Sequence, residues 1–428
     1  MQRRRIAIVG TGIAGNVAAN ALFAAGHEIT VFEANDHVGG HTHTHAIDIG
    51  DEHQRIDTGF IVFNDRTYPN FVRLLDSLGV ASQPSSMSFS VRNDRRQLEY
   101  NGTSIDGLFA QRRNLLNPGF LRMIAEILRF NRLAPTVLTD DGPEITLREL
   151  LERHGFGGRF VDDYLVPMGA AIWSTEPARM FDFPARFFVR FLHNHGMLSV
   201  DDRPLWRVIR GGSASYVERL IAPWRERIRL NCPVTRLLRL TDRVLVSTPE
   251  GPTETFDHVF IACHADQALR LLGDPSLEER EVLGALTYQT NEAVLHTDTS
   301  LLPRSRRAWA AWNYHVLPDT GRPVALTYDM NILQGLRSRH RFCVTLNATE
   351  RVDPARILRR LSYDHPLFTP RAVVSQARHG EISGVRRTYY CGAYWRYGFH
   401  EDGVVSALAA LAHFERAIDE QRDLRRVA

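Results

Sequence analysis

The chain has 428 residues, 44% of them hydrophobic and 24% charged, with a formal net charge of +3. That is a globular composition, long enough for two or three cores, and the small charge with no continuous basic face excludes a nucleic-acid binder. All 52 basic residues are arginine, which excludes any chemistry that needs a lysine Schiff base.

The first element is an apolar β run, Ile6–Val9. Gly10, Gly12 and Gly15 follow as G-x-G-x-x-G, with Ile13 and Ala14 inside the motif and a dozen helical residues after it. Glu28–Phe32 reads as a second strand that ends on Glu33 and Ala34. This is a βαβ dinucleotide fingerprint in its required context. The glycines serve a tight turn, close approach of backbone to a pyrophosphate, and helix–strand packing. The pyrophosphate is expected at the helix N-terminus, where free N–H groups favour anions, and Glu33 is placed to accept from ribose hydroxyls. Arg3–Arg5 before an apolar run mimic a signal peptide, but Asn16 and Asn20 interrupt the run and the glycine spacing accounts for it better.

Next come Gly39-Gly40 and His41-Thr42-His43-Thr44-His45. On a strand the three histidines would share one face, opposite Thr42 and Thr44. Asp57-Thr58-Gly59-Phe60 follows a strand-like stretch, and Tyr68–Leu78 reads as a helix stopped by Gly79.

In Leu108–Leu133, Pro118 is expected to separate two helices. The second carries Leu121, Ile124, Ile127 and Leu128 at helical spacing among Arg122, Arg129 and Arg132. Two readings stay open: a core-facing helix with a solvated basic side, or an amphipathic element resting on an anionic membrane. Phe181–Leu198 is dense in phenylalanine, with Pro184 at a helix start. Phe187, Phe188, Phe191 and Leu192 would pack a core or line a tunnel.

Strands are expected at Ile228–Leu230, Arg236–Leu240, Arg243–Ser247 and Phe256–Cys263, and a helix at Asp266–Leu272. Thr388–Tyr390 is a final strand. Beyond Cys391-Gly392-Ala393-Tyr394-Trp395, a helix opens around Phe399–Ser406. The four cysteines, Cys232, Cys263, Cys343 and Cys391, are far apart and form neither a CxxC pair nor a zinc pattern. They fit a reducing, cytoplasmic compartment. No stretch approaches the ~20 apolar residues of a membrane span.

The paired glycine after the acidic strand end resembles the flavin-dependent amine oxidase and phytoene desaturase superfamily, in which arginine usually follows; here it is His41. Seven motifs carry a closer resemblance: GGHTHT, DTGFIVFNDRTYPN, SMSFSV, LFAQRRNLLNP, PMGAAIWS, FFVRFLHNHG and CGAYWRYGFHEDG. They look like bacterial NAD/FAD-binding proteins of that superfamily and like the N-terminal part of plant cyclopropane fatty acid synthases. The resemblance implies an α/β fold: a Rossmann-like FAD-binding domain of the amine oxidase type, assembled from residues 1–90, 206–284 and 381–428. An α+β substrate domain would take 91–205 and 285–380. It implies FAD as cofactor, held by Gly10, Gly12, Ile13, Ala14, Gly15, Glu33, Ala34, Gly40, His41, Thr42, Gly59, Phe60, Val234, Gly392, Asp402, Gly403 and Val404. In the superfamily the residue equivalent to Val234 meets the adenine through its backbone.

The same resemblance implies an oxidoreductase acting on a hydrophobic substrate, such as a methylated acyl chain of a phospholipid. The alternatives are an amine oxidase, disfavoured because no lysine can hold the water many such enzymes place near the flavin, and a non-redox flavoprotein supporting a lipid methyltransferase. A lipid methyltransferase is the implied partner, and peripheral contact with the inner membrane face the implied location. The candidates for acid–base chemistry are His41, His43, Tyr394 and His400, with His193 and His195 as a second histidine pair. Tyr394, Trp395 and Tyr397 would form either an aromatic wall beside the flavin or buried strand-end aromatics. No carboxylate or cysteine cluster accompanies the histidines, so no metal is expected.

Overall fold

The computed structural model describes residues 3–199, 201–317 and 325–427, with side chains described to residue 420. A five-stranded parallel sheet is ordered Ile228–Arg229, Glu28–Phe32, Arg5–Val9, His258–Ile261, Thr388–Tyr390. Ile6–Val9 and Val259–Ile261 are continuous apolar runs because both faces of the sheet are covered there. Ile6 and Ile8 point into one core with Val17, Tyr216 and Phe414, and Ala7 and Val9 into another with Val244, Phe256 and Val282. The first core is capped by the helices Ile13–Ala24 and His400–Val427. The second is closed by a three-stranded antiparallel sheet, Arg236–Arg239, Val244–Ser247 and Glu254–Phe256.

A seven-stranded sheet forms the other layer. Its order is Ile357–Leu367, Thr287–His296, Cys343–Leu346, Ala325–Asp329, Trp312–Val316, Phe89–Asn93, Leu98–Asn101. Pairing is antiparallel except where Trp312–Val316 runs parallel to Phe89–Asn93. The helices Pro118–Leu133, Leu147–Arg153, Val166–Trp173 and Ala185–Asn194 bury their apolar faces in the same core as this sheet.

Pro118 occupies the first position of its helix, and Asn117 caps it by accepting from the Phe120 N–H. The segment before it is a short helix, Ile105–Leu108, and a 3₁₀ turn, Arg112–Leu116, instead of one helix. The buried face also differs from the expected stripe. Phe120, Met123 and Phe130 are buried, Ile124 and Ile127 are half-buried, and Leu121 and Leu128 are 43% and 45% exposed. The helix carries apolar residues on more than one side, and the side with two aromatic rings removes the most area from water. Phe187, Phe188, Phe191 and Leu192 are all buried and pack with Trp173, Phe368 and Tyr397; none lines the larger described cavity.

Candidate functional site

The glycine-rich turn lies at the C-terminal end of Arg5–Val9, where parallel α/β sheets bind ligands. Gly10 has φ +101°, a conformation other residues rarely adopt, and a Cβ there would meet the Ala262 carbonyl oxygen at 3.0 Å. A Cβ on Gly15 would come within 2.0 Å of the Gly10 carbonyl oxygen, so Gly15 lets the helix pack onto the turn. Gly12 is different: its backbone is ordinary, φ −63° and ψ 176°, and a Cβ would meet nothing within 4 Å. Gly12 therefore faces open space at the N-terminus of Ile13–Ala24, whose first turn carries no acidic residue. This is the cradle that the fingerprint predicts for a pyrophosphate.

Three further backbone approaches enclose it. A Cβ on Gly40 would stand 3.1 Å from the Gly12 Cα, and one on Gly59 would stand 2.1 Å from the His41 carbonyl oxygen. One on Gly403 would stand 2.5 Å from Ile13 Cγ2, which brings the start of the C-terminal helix onto the first turn of Ile13–Ala24. Val404 is buried in the core beneath, and Ala14 beside it. Val234 is buried near the end of Glu28–Phe32, where the Cys232 N–H donates to the Glu33 carbonyl. Gly392 follows the last strand, its N–H donating to Ser406 Oγ at 2.8 Å.

Glu33 is tied to the glycine turn. One carboxylate oxygen accepts from the Thr11 N–H and hydroxyl, the other from the Asn35 N–H and side-chain amide, the two N–H bonds each at 2.9 Å. Glu33 thereby clamps the glycine turn to the end of the second strand. Ala34 beside it is exposed.

The three histidines do not share a face. Gly39 and Gly40, with φ +124° and +58°, make a turn, and the strand starts only at Thr44. His43 and His45 stay together, with rings 4.0 Å apart, and His43 stacks on His37 at 4.1 Å. Burial and His45 push His43 down to about 4. His41 turns the other way, to within 5.8 Å of the His264 ring, 5.6 Å of His365 and 5.1 Å of Tyr363. Burial, then His365 and His264, hold His41 well below the ordinary histidine range.

Thr42 and His400 are ties between segments. His400 Nε2 lies 3.0 Å from Thr42 Oγ1 and 2.8 Å from the Tyr216 hydroxyl, which is itself 2.8 Å from Thr42 Oγ1. The ring stacks on Phe60 at 3.5 Å, and burial pushes its pKa down to about 3. His400 is thus held neutral with Nε2 engaged, which suits a structural knot better than proton transfer. Asp402 accepts through Oδ2 from the Tyr397 and Phe399 N–H groups at 3.2 and 2.9 Å, its Oδ1 lies 3.7 Å from Arg396 Nε, and burial raises it to about 7. Asp57 accepts from Thr44 Oγ1, from the Ser213 N–H and hydroxyl, and from Gln334, which ties the hairpin Thr44–Asp57 to both layers.

Tyr394 is buried beside Trp395, with ring centroids 5.2 Å apart, and stands edge-on to Tyr288 at 6.4 Å. The Tyr394 hydroxyl, Trp395 Nε1 and His264 Nδ1 are buried polar atoms with no hydrogen-bond partner. Tyr397 stands apart from this pair, against Phe187 and Phe191. His195 stacks on Phe191 and, with the exposed His193, lines a 710 Å³ cavity together with Arg66, Asn70, Arg396, Glu401 and Asp402. His264, Tyr288, Tyr363 and His365 had no signal of their own in the sequence. They lie at the ends of strands far apart in the chain, and only sheet pairing brings them to His41. Among the described residues no group of three or more His, Cys, Asp or Glu could hold a metal.

The fold matches known enzymes over nearly its whole length. Cyclohexylamine oxidase from Brevibacterium oxydans superposes with a TM-score of 0.70 over 97% of this chain and 99% of that one, at 17% identity. A CLA-producing fatty acid isomerase from P. acnes superposes with a TM-score of 0.67 over 96% and 98%, also at 17% identity. In sequence, an L-amino-acid oxidase of the fish Siganus canaliculatus is 24% identical over 318 residues. That match takes in 69% of this chain but 57% of the relative, so the chain spans little more than half of that protein's length. Residues 13–320 match the model of the flavin-containing amine oxidoreductases. The chain belongs to that family: it is a flavoprotein oxidoreductase, and its cofactor is FAD. The open Gly12 cradle, the close approaches of Gly40 and Gly59, and the unpartnered polar atoms at the strand ends all fit such a group.

Proposed function

We propose that the chain removes a hydride and a proton from a hydrophobic substrate, in the manner of a desaturase acting on a fatty acyl chain of a phospholipid. When bound, FAD supplies the hydride acceptor. In this reading Gly10, Gly12 and Gly15 seat the pyrophosphate, Gly59 and Phe60 bring backbone to the flavin, and Gly403 and Val404 present a helix N-terminus to its electron-rich edge. The proton falls to the half-buried imidazoles, among them His41 and His365.

The observation that carries the choice of an apolar substrate is the surface of residues 105–133. Ile105 is 80% exposed and Leu116 is 89% exposed, and Leu115, Leu121 and Leu128 are also exposed. Arg113, Arg122 and Arg132 flank them. Exposed leucines beside arginines suit a peripheral contact with an anionic bilayer, from which an acyl chain could be drawn. No described helix is long and apolar enough to cross a membrane. The sequence adds support, since the chain has no lysine and resembles proteins linked to cyclopropane fatty acid synthesis; a methyltransferase acting on the same lipid is the partner this reading proposes. Anaerobic mixing with phospholipids bearing unsaturated or methylated chains tests it. Bleaching of the flavin absorbance by one of them is the expected result. Full FAD occupancy with no bleaching by any lipid, or rapid bleaching by an amine, would overturn it.

A further inference from the structure

The cradle around Gly12 holds histidine where the sequence resemblance expects arginine. The turn Gly39-Gly40 lies on Gly12, and the Phe60 N–H donates to the His41 carbonyl at 2.8 Å, so His41 is fixed beside the phosphate turn. His264 joins it from the loop after His258–Ile261 and stacks on Tyr288 at 4.5 Å. His365 comes from the long edge strand Ile357–Leu367. Asn291 Oδ1 accepts from Asn347 Nδ2 at 2.7 Å, which directs the Asn291 amide N–H at His365 Nδ1, 2.9 Å away. His365 Nδ1 is therefore an acceptor, and its proton sits on Nε2.

The charges facing this cluster are few. His41 feels His365, His264 and His400, and the last is engaged by Thr42 and Tyr216. His264 feels Asp266, Asp364 and Arg270, of which Asp266 and Arg270 pair at 2.7 Å. Asp364 also faces His365 and accepts from Thr290 Oγ1 at 2.6 Å. Tyr288 and Tyr363 are raised and neutral, and burial pushes the Cys263 thiol up to about 12. Burial and mutual repulsion keep the imidazoles neutral in the empty protein. An anionic pyrophosphate on the adjoining Gly12 turn reverses that preference, because a buried charge without a counter-charge is costly.

We infer that seating the FAD pyrophosphate is coupled to proton uptake by the His41–His264–His365 cluster, so that the counter-charge exists only in the complex. This rests on the cradle being the FAD site. The test is calorimetric titration of FAD into full-length protein freed of flavin, at about pH 6.5, in two buffers of different ionisation enthalpy. The expected result is uptake approaching one proton per FAD. The affinity should weaken by up to tenfold per pH unit across the interval in which the ring is neutral when empty and charged when filled. His41→Arg should keep FAD binding, remove the proton uptake and flatten the pH dependence. If that variant does not fold, His365→Gln, which retains an acceptor for Asn291, should lower the proton count. FAD binding with no proton uptake, or uptake unchanged in either variant, overturns the inference and leaves the cradle intact. FAD binding that is indifferent to a side chain at position 12 would instead refute the cradle itself.

Discussion

Gly12→Val puts a side chain into the cradle without disturbing the fold that makes it. Gly12 already has a backbone conformation open to any residue, and a Cβ there meets no atom within 4 Å. The empty protein should therefore fold normally, and the stiffer backbone of its unfolded state should stabilise it by about 0.4–1 kcal/mol. The cost falls on the ligand. A valine holds the pyrophosphate off the N–H groups of Ile13–Ala24, and losing two charge-assisted hydrogen bonds of about 1.5–3 kcal/mol each amounts to roughly 3–6 kcal/mol. That is a loss of about 10²–10⁴ in FAD affinity. Quenching of flavin fluorescence measures the affinity, and thermal unfolding of the flavin-free protein measures the fold. Gly15→Ala is the control, because its Cβ would lie 2.0 Å from the Gly10 carbonyl oxygen and the turn itself must move. The two variants should separate cleanly: Gly12→Val folded and colourless, Gly15→Ala destabilised. A folded Gly12→Val protein that binds FAD within threefold of the parent would refute the assignment.

Glu279→Gln should destabilise the protein by about 3–5 kcal/mol in urea unfolding, because it leaves the fully buried Arg239 guanidinium short of its main partner. Asp402→Asn should unfold at the same temperature as the parent near pH 4 and at a higher one at pH 8. The folded pKa of Asp402 is raised to about 7, so its contribution is fully present below about 4 and is lost as pH rises through 7, whereas asparagine keeps the acceptor without titrating. His400→Gln should reduce the acid lability of the empty protein. His400 is depressed to about 3, so its stabilising contribution is present above its unfolded value near 6.5 and is lost as pH falls from there towards 3. A parallel pH profile of melting temperature for parent and variant would count against either pH prediction. Leu115→Ser with Leu116→Ser should weaken sedimentation with anionic vesicles severalfold and leave FAD occupancy unchanged; equal sedimentation would remove the membrane reading.

Much of the nucleotide layer was legible because its signals are local. Glu28–Phe32 and Thr388–Tyr390 form at the expected residues, and the other expected strands start or stop within two residues of expectation, except that Phe256 belongs to a separate strand, Glu254–Phe256, that was not expected. A parallel strand buried on both faces announces itself as an unbroken apolar run, and a G-x-G-x-x-G turn needs its glycines wherever it stands. The substrate side was less legible. The rotation of Pro118–Leu133 was misjudged because apolar residues on two sides of a helix leave the phase to tertiary packing. The face-sharing of His41 with His43 failed because His41 closes the Gly39-Gly40 turn and the strand begins only at Thr44, beyond His43. Glu33 and Asp402 also accept from nearby backbone N–H groups, contacts that spacing alone does not reveal.

By itself the sequence determined that this chain folds around a dinucleotide, because the fingerprint and its flanking strands are contiguous and each glycine answers to a steric need within a few residues. Only the tertiary structure decided which side chains share the site. His41, His264 and His365 are each separated by a hundred residues or more, and what brings them together is the pairing of strands in two sheets and the turn at Gly39-Gly40. Long-range pairing is set by the burial of whole faces, which no short stretch of sequence records.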